Sequence, residues 1–260
     1  MTEQPVIDSQ RANSFGAVAA EYDRGRPSYS VDAIKWLLGD EPLDVVDLGA
    51  GTGKLTAAVR MAGHRVTAVE PLPEMRAVLQ GNLPDVTVIE ARAEDTGLPT
   101  ASADAVIAGA AFHWFERPRA FPEIVRILRP GGLLGLLGST LDQSVSVAAR
   151  IREALGDGHR QAGPRNWPDT DELERWFAEV DETRTFPYTH TLDRSRLQDL
   201  ALSHSRLAIL PFDERRQALD RLAAFWDGDP ELAGQDSAQI AYLTVVLRAR
   251  GVRELGRPSG

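Results

Sequence analysis

The 260-residue sequence has no cysteine, only two lysines (Lys35 and Lys54) and no long hydrophobic run. Without cysteine it cannot form disulfides, cysteine-ligated zinc sites, iron–sulfur clusters or thiol nucleophiles. No stretch approaches the roughly 18 apolar residues of a membrane-spanning helix. Residues 1–20 are polar and lack the apolar segment of a secretory signal. These absences predict a soluble, cytoplasmic protein with no membrane partner.

The charge balance is acidic, with 29 basic residues, 38 acidic residues and a net charge of −9. This argues against a nucleic-acid partner, because phosphate backbones are bound by clustered Lys and Arg. His64, His159, His190 and His204 show no metal-ligand spacing, so we expect no metal. His190 and His204 could line a substrate pocket or lie on the surface. The hydrophobic fraction, 43%, is enough for a sizeable core.

Short apolar runs alternate with helical segments between residues 43 and 140. This alternation of strands and helices predicts a parallel sheet with helices on both faces. The expected strands are 43–48, 65–69, 86–90, 104–108 and 133–137, and the helices are 54–62, 73–80 and 122–128. Helices are also predicted before this core, over 11–24 and 32–38, and after it, over 145–156, 170–179, 193–208 and 213–226. Two late strands, 183–191 and 240–248, should extend the sheet, the last of them antiparallel.

A glycine-rich segment, Val46-Asp47-Leu48-Gly49-Ala50-Gly51-Thr52-Gly53-Lys54, joins the first predicted strand to the next helix. Such a turn lets backbone approach a ligand closely and presents free N–H groups at a helix start. The third glycine of a dinucleotide fingerprint is replaced by Lys54, and Leu55 stands where a phosphate-binding loop has Ser or Thr. Glu70 ends the following strand, where a carboxylate can accept both hydroxyls of a ribose.

Several motifs occur together in one order: Asp47-Leu48-Gly49-Ala50-Gly51-Thr52-Gly53, Glu70-Pro71, Ala93-Glu94-Asp95, Phe112-His113-Trp114 and Leu128-Arg129-Pro130-Gly131-Gly132. In this the sequence resembles the class I S-adenosylmethionine-dependent methyltransferases. The resemblance implies a doubly wound, seven-stranded, mostly parallel α/β sheet with an N-terminal helical lid and a late helical insertion. We expect one methyltransferase domain over 1–260, with a lid at 11–38, a cofactor-binding core at 43–140 and substrate-side helices and closing strands at 141–260.

Residues near the N-terminus, together with a motif later in the chain, resemble one group within this family. Phe15-Gly16 and Tyr22-Asp23-Arg24-Gly25-Arg26-Pro27, together with His113-Trp114-Phe115, resemble the small-molecule group that includes trans-aconitate methyltransferases. This implies a small-molecule acceptor methylated on oxygen, with a carboxylate as one candidate. The oligomeric state is left open between monomer and homodimer.

The resemblance also assigns roles to residues that hold S-adenosylmethionine and its product S-adenosylhomocysteine. Contacts are expected along the methionine, ribose and adenine, from Tyr22, Arg26, Asp47, Gly49, Gly51, Gly53, Glu70, Pro71, Met75, Ala93, Glu94 and Ala110. One departure concerns the adenine amino group. Relatives often place Asp just before the alanine, whereas Arg92 stands here and only donates hydrogen bonds.

The acceptor side is expected to be lined by Phe112, His113 and Trp114, with Trp167 as a further apolar wall. His113 is the candidate catalytic residue, because imidazole has the right pKa to deprotonate a hydroxyl. A carboxylate acceptor would need no base. The alternative is a non-catalytic or regulatory protein that binds S-adenosylmethionine or S-adenosylhomocysteine. A nicotinamide-dependent oxidoreductase is disfavoured by Lys54 and by the absence of a Tyr-x-x-x-Lys pair.

Overall fold

The computed structural model describes residues 19–156, 166–203, 207 and 210–253. Most of the predicted helix 11–24 lies outside these residues, and its end forms α1, Ala19–Gly25. The predictions for Phe15, His159 and His204 also fall outside the described part.

One sheet of eight strands organises the described chain, in the order β3-β2-β1-β4-β5-β8-β6, with β7 also paired to β8. The pairs from β3 through β5 are parallel, and β8 is antiparallel to its neighbours. The doubly wound, mostly parallel sheet and its antiparallel last strand are thus confirmed. The strands are β1 Asp44–Leu48, β2 Arg65–Val69, β3 Thr87–Ile89, β4 Ala103–Gly109, β5 Leu128–Leu141, β6 Phe177–Val180, β7 Arg184–Leu192 and β8 Ala238–Val252.

The sheet has one strand more than the seven expected, because two strands, β6 and β7, pair with β8. β7 pairs with one part of β8 and β6 pairs with its carboxyl end, so two short strands share one long partner. The predicted helix 170–179 was therefore wrong over its second half. A helix covers only Thr170–Glu174, and Phe177 then pairs with Val252 and is fully buried. Burial at the sheet edge outweighed the local helical pattern.

The helices cover both faces of the sheet. They are α1 Ala19–Gly25, α2 Val31–Leu38, α3 Lys54–Met61, α4 Pro73–Asn82, α5 Arg117–Ile127, α6 Ser146–Ala154, α7 Thr170–Glu174, α8 Arg194–Leu202 and α9 Phe212–Gly228. α5 begins at Arg117, earlier than the predicted 122, because Pro118 is tolerated in a first helical turn.

Strand alternation separates two cores. Val46 packs with the buried face of α5, whereas its neighbour Val45 packs with α2 and α3. A third apolar cluster lies among α6, α8 and α9 and the ends of β7 and β8. The late helices are therefore anchored to the same sheet as the glycine-rich segment.

α1 docks on α8 through a very close backbone approach. A Cβ on Gly25 would lie 2.2 Å from the Leu200 nitrogen, which only glycine avoids. Beside it, the Arg24 guanidinium donates to both carboxylate oxygens of Asp199, at 2.8 and 3.1 Å. This contact positions the segment that leads to Tyr29.

Gly25→Ala should weaken this docking and lower the midpoint of thermal unfolding, because backbone atoms must move to admit the methyl group. Gly81→Ala is the matched control, since a Cβ there meets nothing within 4 Å. Replacing a glycine inside a helix by alanine stabilises a protein by about 0.5–1 kcal/mol. The control Gly81→Ala should therefore be neutral or stabilising. Calorimetric unfolding of both variants checks the prediction, and equal midpoints would contradict it.

Candidate active site

The glycine-rich turn follows β1 at the carboxyl edge of the sheet. Gly49, Gly51 and Gly53 have φ angles of 66°, 57° and 87°, in the left-handed region that favours glycine. A Cβ on Gly49 would approach the Ala111 methyl to 2.7 Å. The turn therefore brings bare backbone against the loop that follows β4.

Glu70 closes this turn from the next strand. Its Oε2 accepts from the Gly51 N–H and its Oε1 accepts from the Leu72 N–H, both at 2.9 Å. The side chain is 5% exposed. Burial raises its pKa, against the lowering effect of the two backbone donors and of Arg76. Each carboxylate oxygen keeps a lone pair, so the group can still accept from two hydroxyls.

Asp47 lies fully buried at the end of β1. Its Oδ2 accepts from the Thr56 hydroxyl at 2.6 Å, whereas its Oδ1 and the nearby buried Thr52 hydroxyl have no hydrogen-bond partner within the described residues. Burial, reinforced by the negative charge of Glu70, raises the pKa of Asp47 to about 7. Buried polar atoms without partners are rare and costly, so this end of β1 is prepared for a polar or cationic ligand.

A narrow cavity of about 30 Å³ adjoins Asp47. It is enclosed by the glycine turn and by two aromatic side chains of the N-terminal segment, Tyr22 and Tyr29. This volume suits at most a few water molecules, so a nucleoside-sized ligand requires the N-terminal segment to move.

Polar contacts hold that segment over the turn. Asp23 pairs with the Lys54 ammonium at 3.2 Å and accepts from the Asn82 amide at 3.1 Å. The Arg26 Nη2 donates to the Ser203 carbonyl at 3.1 Å, and its guanidinium lies 5.2 Å from the centre of the Tyr22 ring. The Arg26 Nε is buried and has no partner in the described ranges. Arg26 therefore retains one donor for a ligand.

The residues expected around adenine lie along β2, α4 and the loop after β3. Met75 and Ala93 are buried, whereas Pro71 is exposed. Glu94 is engaged within the protein: its Oε1 accepts from the Glu116 N–H at 2.7 Å and its Oε2 from Arg92 at 3.3 Å. Glu94 thus ties two loops of the site together, and Arg92 is held beside it.

The loop after β4 contains the residues predicted to face the acceptor. Ala110 has a φ of 53° and donates its N–H to the Leu137 carbonyl. Phe112 is 1% exposed and packs in the core against Phe115 and Phe121. His113 is exposed and lies 4.6 Å from the Trp114 ring.

Trp167 packs against the core around α5, so it lies beside Phe112's cluster. No group of three potential metal ligands occurs among the residues described. Likewise, no described helix has the length and apolar character needed to cross a bilayer.

Sequence reasoning did not single out several residues that the fold brings to this edge. Thr52, Thr56 and Tyr29 contact or enclose the end of β1. Thr52 and Thr56 lie in or just after the glycine segment, so its strand-to-helix context was an available signal. Tyr188 and Tyr242 lie on β7 and β8, far along the chain, and no local sequence pattern predicts their position.

A family model described as a methyltransferase domain matches residues 46–136. An uncharacterized methyltransferase of Mycobacterium tuberculosis is 39% identical over 91% of this chain and 95% of the relative. A methyltransferase-like protein of Schizosaccharomyces pombe is 30% identical over 90% of this chain and 94% of its own length. The chain belongs to the class I S-adenosylmethionine-dependent methyltransferases and is an enzyme of that family.

A solved structure supports the same fold. The chain from Anaeromyxobacter dehalogenans, provisionally assigned as a type II methyltransferase, superposes with a TM-score of 0.63 at 24% identity. The match covers 87% of this chain and 97% of that one. The Rossmann-like arrangement therefore extends beyond the segment matched by the family model.

Asp47→Asn should stabilise the protein above neutral pH. The pKa of Asp47 is about 7 in the folded protein, against about 3.9 in an unfolded chain. Folding therefore opposes ionisation, and stability is lost as the pH rises from the unfolded to the folded pKa. Removing the charge should raise the free energy of unfolding by about 1–3 kcal/mol at pH 8 and change it little near pH 4.

Asp104→Asn, on the neighbouring strand β4, is a control for which we expect the opposite change in stability. Arg129 and the Asp44 N–H lower the pKa of the Asp104 carboxyl, so this variant should be less stable at pH 8. Denaturant titrations at both pH values measure the two effects. A loss of stability in Asp47→Asn at pH 8 would contradict the prediction, because it would show that interactions in the folded protein stabilise the ionised Asp47 carboxylate.

Proposed function

We propose that this enzyme transfers a methyl group from S-adenosylmethionine to an oxygen atom of a small molecule. The observation that carries the proposal is the arrangement at the carboxyl edge of β1 and β2. Bare glycine backbone, the buried Glu70 carboxylate and the unpartnered Asp47 Oδ1 converge there. When bound, S-adenosylmethionine supplies an electrophilic methyl group on a sulfonium.

The chain offers a complementary group for each part of this ligand. Glu70 accepts from the ribose hydroxyls, and the turn of Gly49, Gly51 and Gly53 passes beneath the ribose and methionine. Asp47 faces the methionine ammonium, directly or through water, and Arg26 and Tyr22 cover the methionine end. On the adenine side we propose Pro71, Met75, Ala93 and Glu94, with Ala110 bordering the methionine.

An oxygen acceptor is supported by relatives that share part of the chain. A malonyl-[acyl-carrier protein] O-methyltransferase of Hahella chejuensis is 35% identical over 51% of this chain and 50% of that protein. That enzyme's name describes methylation on oxygen. His113 and Trp114 follow β4 beside the glycine turn and are proposed to contact the acceptor, with the late helices on the same side.

The second candidate function is a non-catalytic S-adenosylmethionine-binding or S-adenosylhomocysteine-binding protein. The narrow cavity beneath Tyr22 and Tyr29 bears on both functions, since S-adenosylmethionine can bind or turn over only if the N-terminal segment opens. The contacts that close it are partly exposed ion pairs, which contribute about 0–1 kcal/mol each. Such pairs open readily, so we favour catalysis.

Glu70→Gln should weaken binding of S-adenosylhomocysteine by about 1.5–3 kcal/mol, the range for a hydrogen bond to a charged group. Glu90→Gln is the matched control, because Glu90 is exposed and its carboxylate forms an ion pair with Arg76. Isothermal titration calorimetry of the wild type and both variants measures the difference. The wild type should not bind NAD.

One outcome would overturn the cofactor assignment, and a second would overturn the role given to Glu70. The first is micromolar binding of NAD without any response to S-adenosylmethionine or S-adenosylhomocysteine. The second is an unchanged S-adenosylhomocysteine affinity in Glu70→Gln, which would leave Glu70 with a purely structural role in the turn.

The N-terminal segment should behave as a lid. S-adenosylhomocysteine should slow amide hydrogen exchange in residues 19–30, because the segment would close over the ligand. Without ligand, Asp23→Asn should speed exchange there, since it removes the ion pair with Lys54. Buried β2 serves as the internal reference. Ligand-independent exchange in 19–30 would contradict a moving lid.

A further inference from the structure

All four tyrosines of the chain lie where the N-terminal segment meets the sheet. Tyr22 and Tyr29 belong to the N-terminal segment, whereas Tyr188 and Tyr242 lie on β7 and β8. The rings of Tyr188 and Tyr242 are 5.8 Å apart. Tyr29 is close enough to Tyr22 and Tyr188 for both to raise its pKa, after the larger effect of burial. The Tyr188 hydroxyl donates to the Ser28 carbonyl at 2.7 Å, which ties β7 to the lid.

Two polar atoms in this cluster are buried and have no partner within the described chain, His190 Nε2 and the Tyr242 hydroxyl. Their rings meet edge to face, with centres 5.9 Å apart. Tyr242 is 3% exposed. Burying a hydroxyl and an imidazole nitrogen without hydrogen bonds is costly. Such a cost is expected where a ligand completes the bonds.

The tyrosine cluster reaches the glycine turn through Tyr29, which lines the cavity beside Asp47. The pKa of His190 is lowered by burial, then by the positive charges of Lys54 and Arg196. Lys54 is the first residue of α3, directly after the turn, and Arg196 lies on α8. This direction favours the neutral imidazole, in which one ring nitrogen can accept a hydrogen bond. Burial raises the pKa of Tyr242 far above its ordinary value, so its hydroxyl remains a donor.

We propose that His190 and Tyr242 bind the hydroxyl of a phenolic acceptor, with His190 Nε2 accepting its proton and the Tyr242 hydroxyl donating to its oxygen. This inference rests on the proposed methyl transfer. The surrounding tyrosine rings match a flat aromatic acceptor, because aromatic faces pack on aromatic faces and edges. His190 and Tyr242 are catalytic and binding residues in this assignment, and His113 is a peripheral acceptor contact.

The chemistry favours a phenol over a carboxylate. A carboxylate is already ionised near pH 7 and gains nothing from a neutral base, whereas a phenol has a pKa near 10. The phenolic oxygen forms a bond to the methyl carbon while the carbon–sulfur bond breaks and leaves its electron pair on sulfur. The hydroxyl proton passes to His190 and then to solvent.

The test uses p-cresol as the phenolic probe and p-toluate as the matched carboxylate, with S-adenosylmethionine as donor. S-adenosylhomocysteine formation and the methylated product are measured by mass spectrometry. His190→Gln should lower kcat/KM for p-cresol by about 10²-fold or more, the range for loss of a general base. Thr189→Gln, on the exposed face of the same strand, is the matched control and should retain activity.

Two further readouts separate catalysis from folding. The wild-type kcat/KM for p-cresol should rise with pH through a pKa below the ordinary histidine value, and His190→Gln should lose this rise. In calorimetric titrations of the enzyme–S-adenosylhomocysteine complex, Tyr242→Phe should bind p-cresol about tenfold more weakly, equal to about 1.4 kcal/mol. Both variants should bind S-adenosylhomocysteine within about threefold of the wild type.

Several results would overturn this assignment while leaving the proposed function intact. They are S-adenosylhomocysteine binding without p-cresol binding or methylation, methylation of p-toluate alone, or a pH-dependent rise that persists in His190→Gln. Loss of that rise in His113→Gln instead would transfer the role of base to His113. A wild-type protein that does not bind S-adenosylhomocysteine would overturn the proposed function itself.

Discussion

The parallel pairing of β1 between β2 and β4 is the constraint on which the site depends. Asp47 is in register with Ala68 on one side and Ile107 on the other. Because the three strands run in one direction, their carboxyl ends reach the same edge. The glycine turn, Glu70 and the loop beginning at Ala110 therefore meet, although each follows a different strand. A change of one residue in this register would turn Asp47 to the opposite face.

Polar groups at this edge include a buried carboxylate that is not compensated. At the opposite ends of β1 and β4, Asp44 and Asp104 both pair with Arg129. On α5, Glu123 is paired with Arg126 and accepts from Thr96, and its pKa is lowered to about 2. By contrast, Asp47 has a raised pKa and a buried oxygen that no described residue hydrogen-bonds. The folded protein thus tolerates an electrostatic cost where a ligand is proposed to bind.

The N-terminal segment that we propose as a lid combines weak polar contacts with a well-packed base. The Arg24–Asp199 and Asp23–Lys54 pairs are partly exposed, so each contributes little against solvent screening. α8, on which α1 rests, is anchored by Leu197 and Leu200 in the apolar cluster of the late helices. Motion can therefore be confined to the N-terminal segment while the surface beneath it stays in place. This division suits a site that must admit a large cofactor and then exclude water.

The sequence by itself determined the features that short-range patterns encode. Glycines at alternate positions after an apolar strand, with Glu70 ending the next, specify a turn and a carboxylate through local geometry alone. Strand and helix periods likewise specified the parallel core and its antiparallel closing strand. Tertiary structure decided the rest. Phe112 entered the core because packing with Phe121 outweighed exposure, and residues 177–180 became a strand because β8 offered an unpaired edge. His190 meets Tyr242, and the Tyr188 hydroxyl donates to the Ser28 carbonyl, only because β7, β8 and the N-terminal segment converge in space. No local periodicity predicts a contact between segments so far apart in the chain.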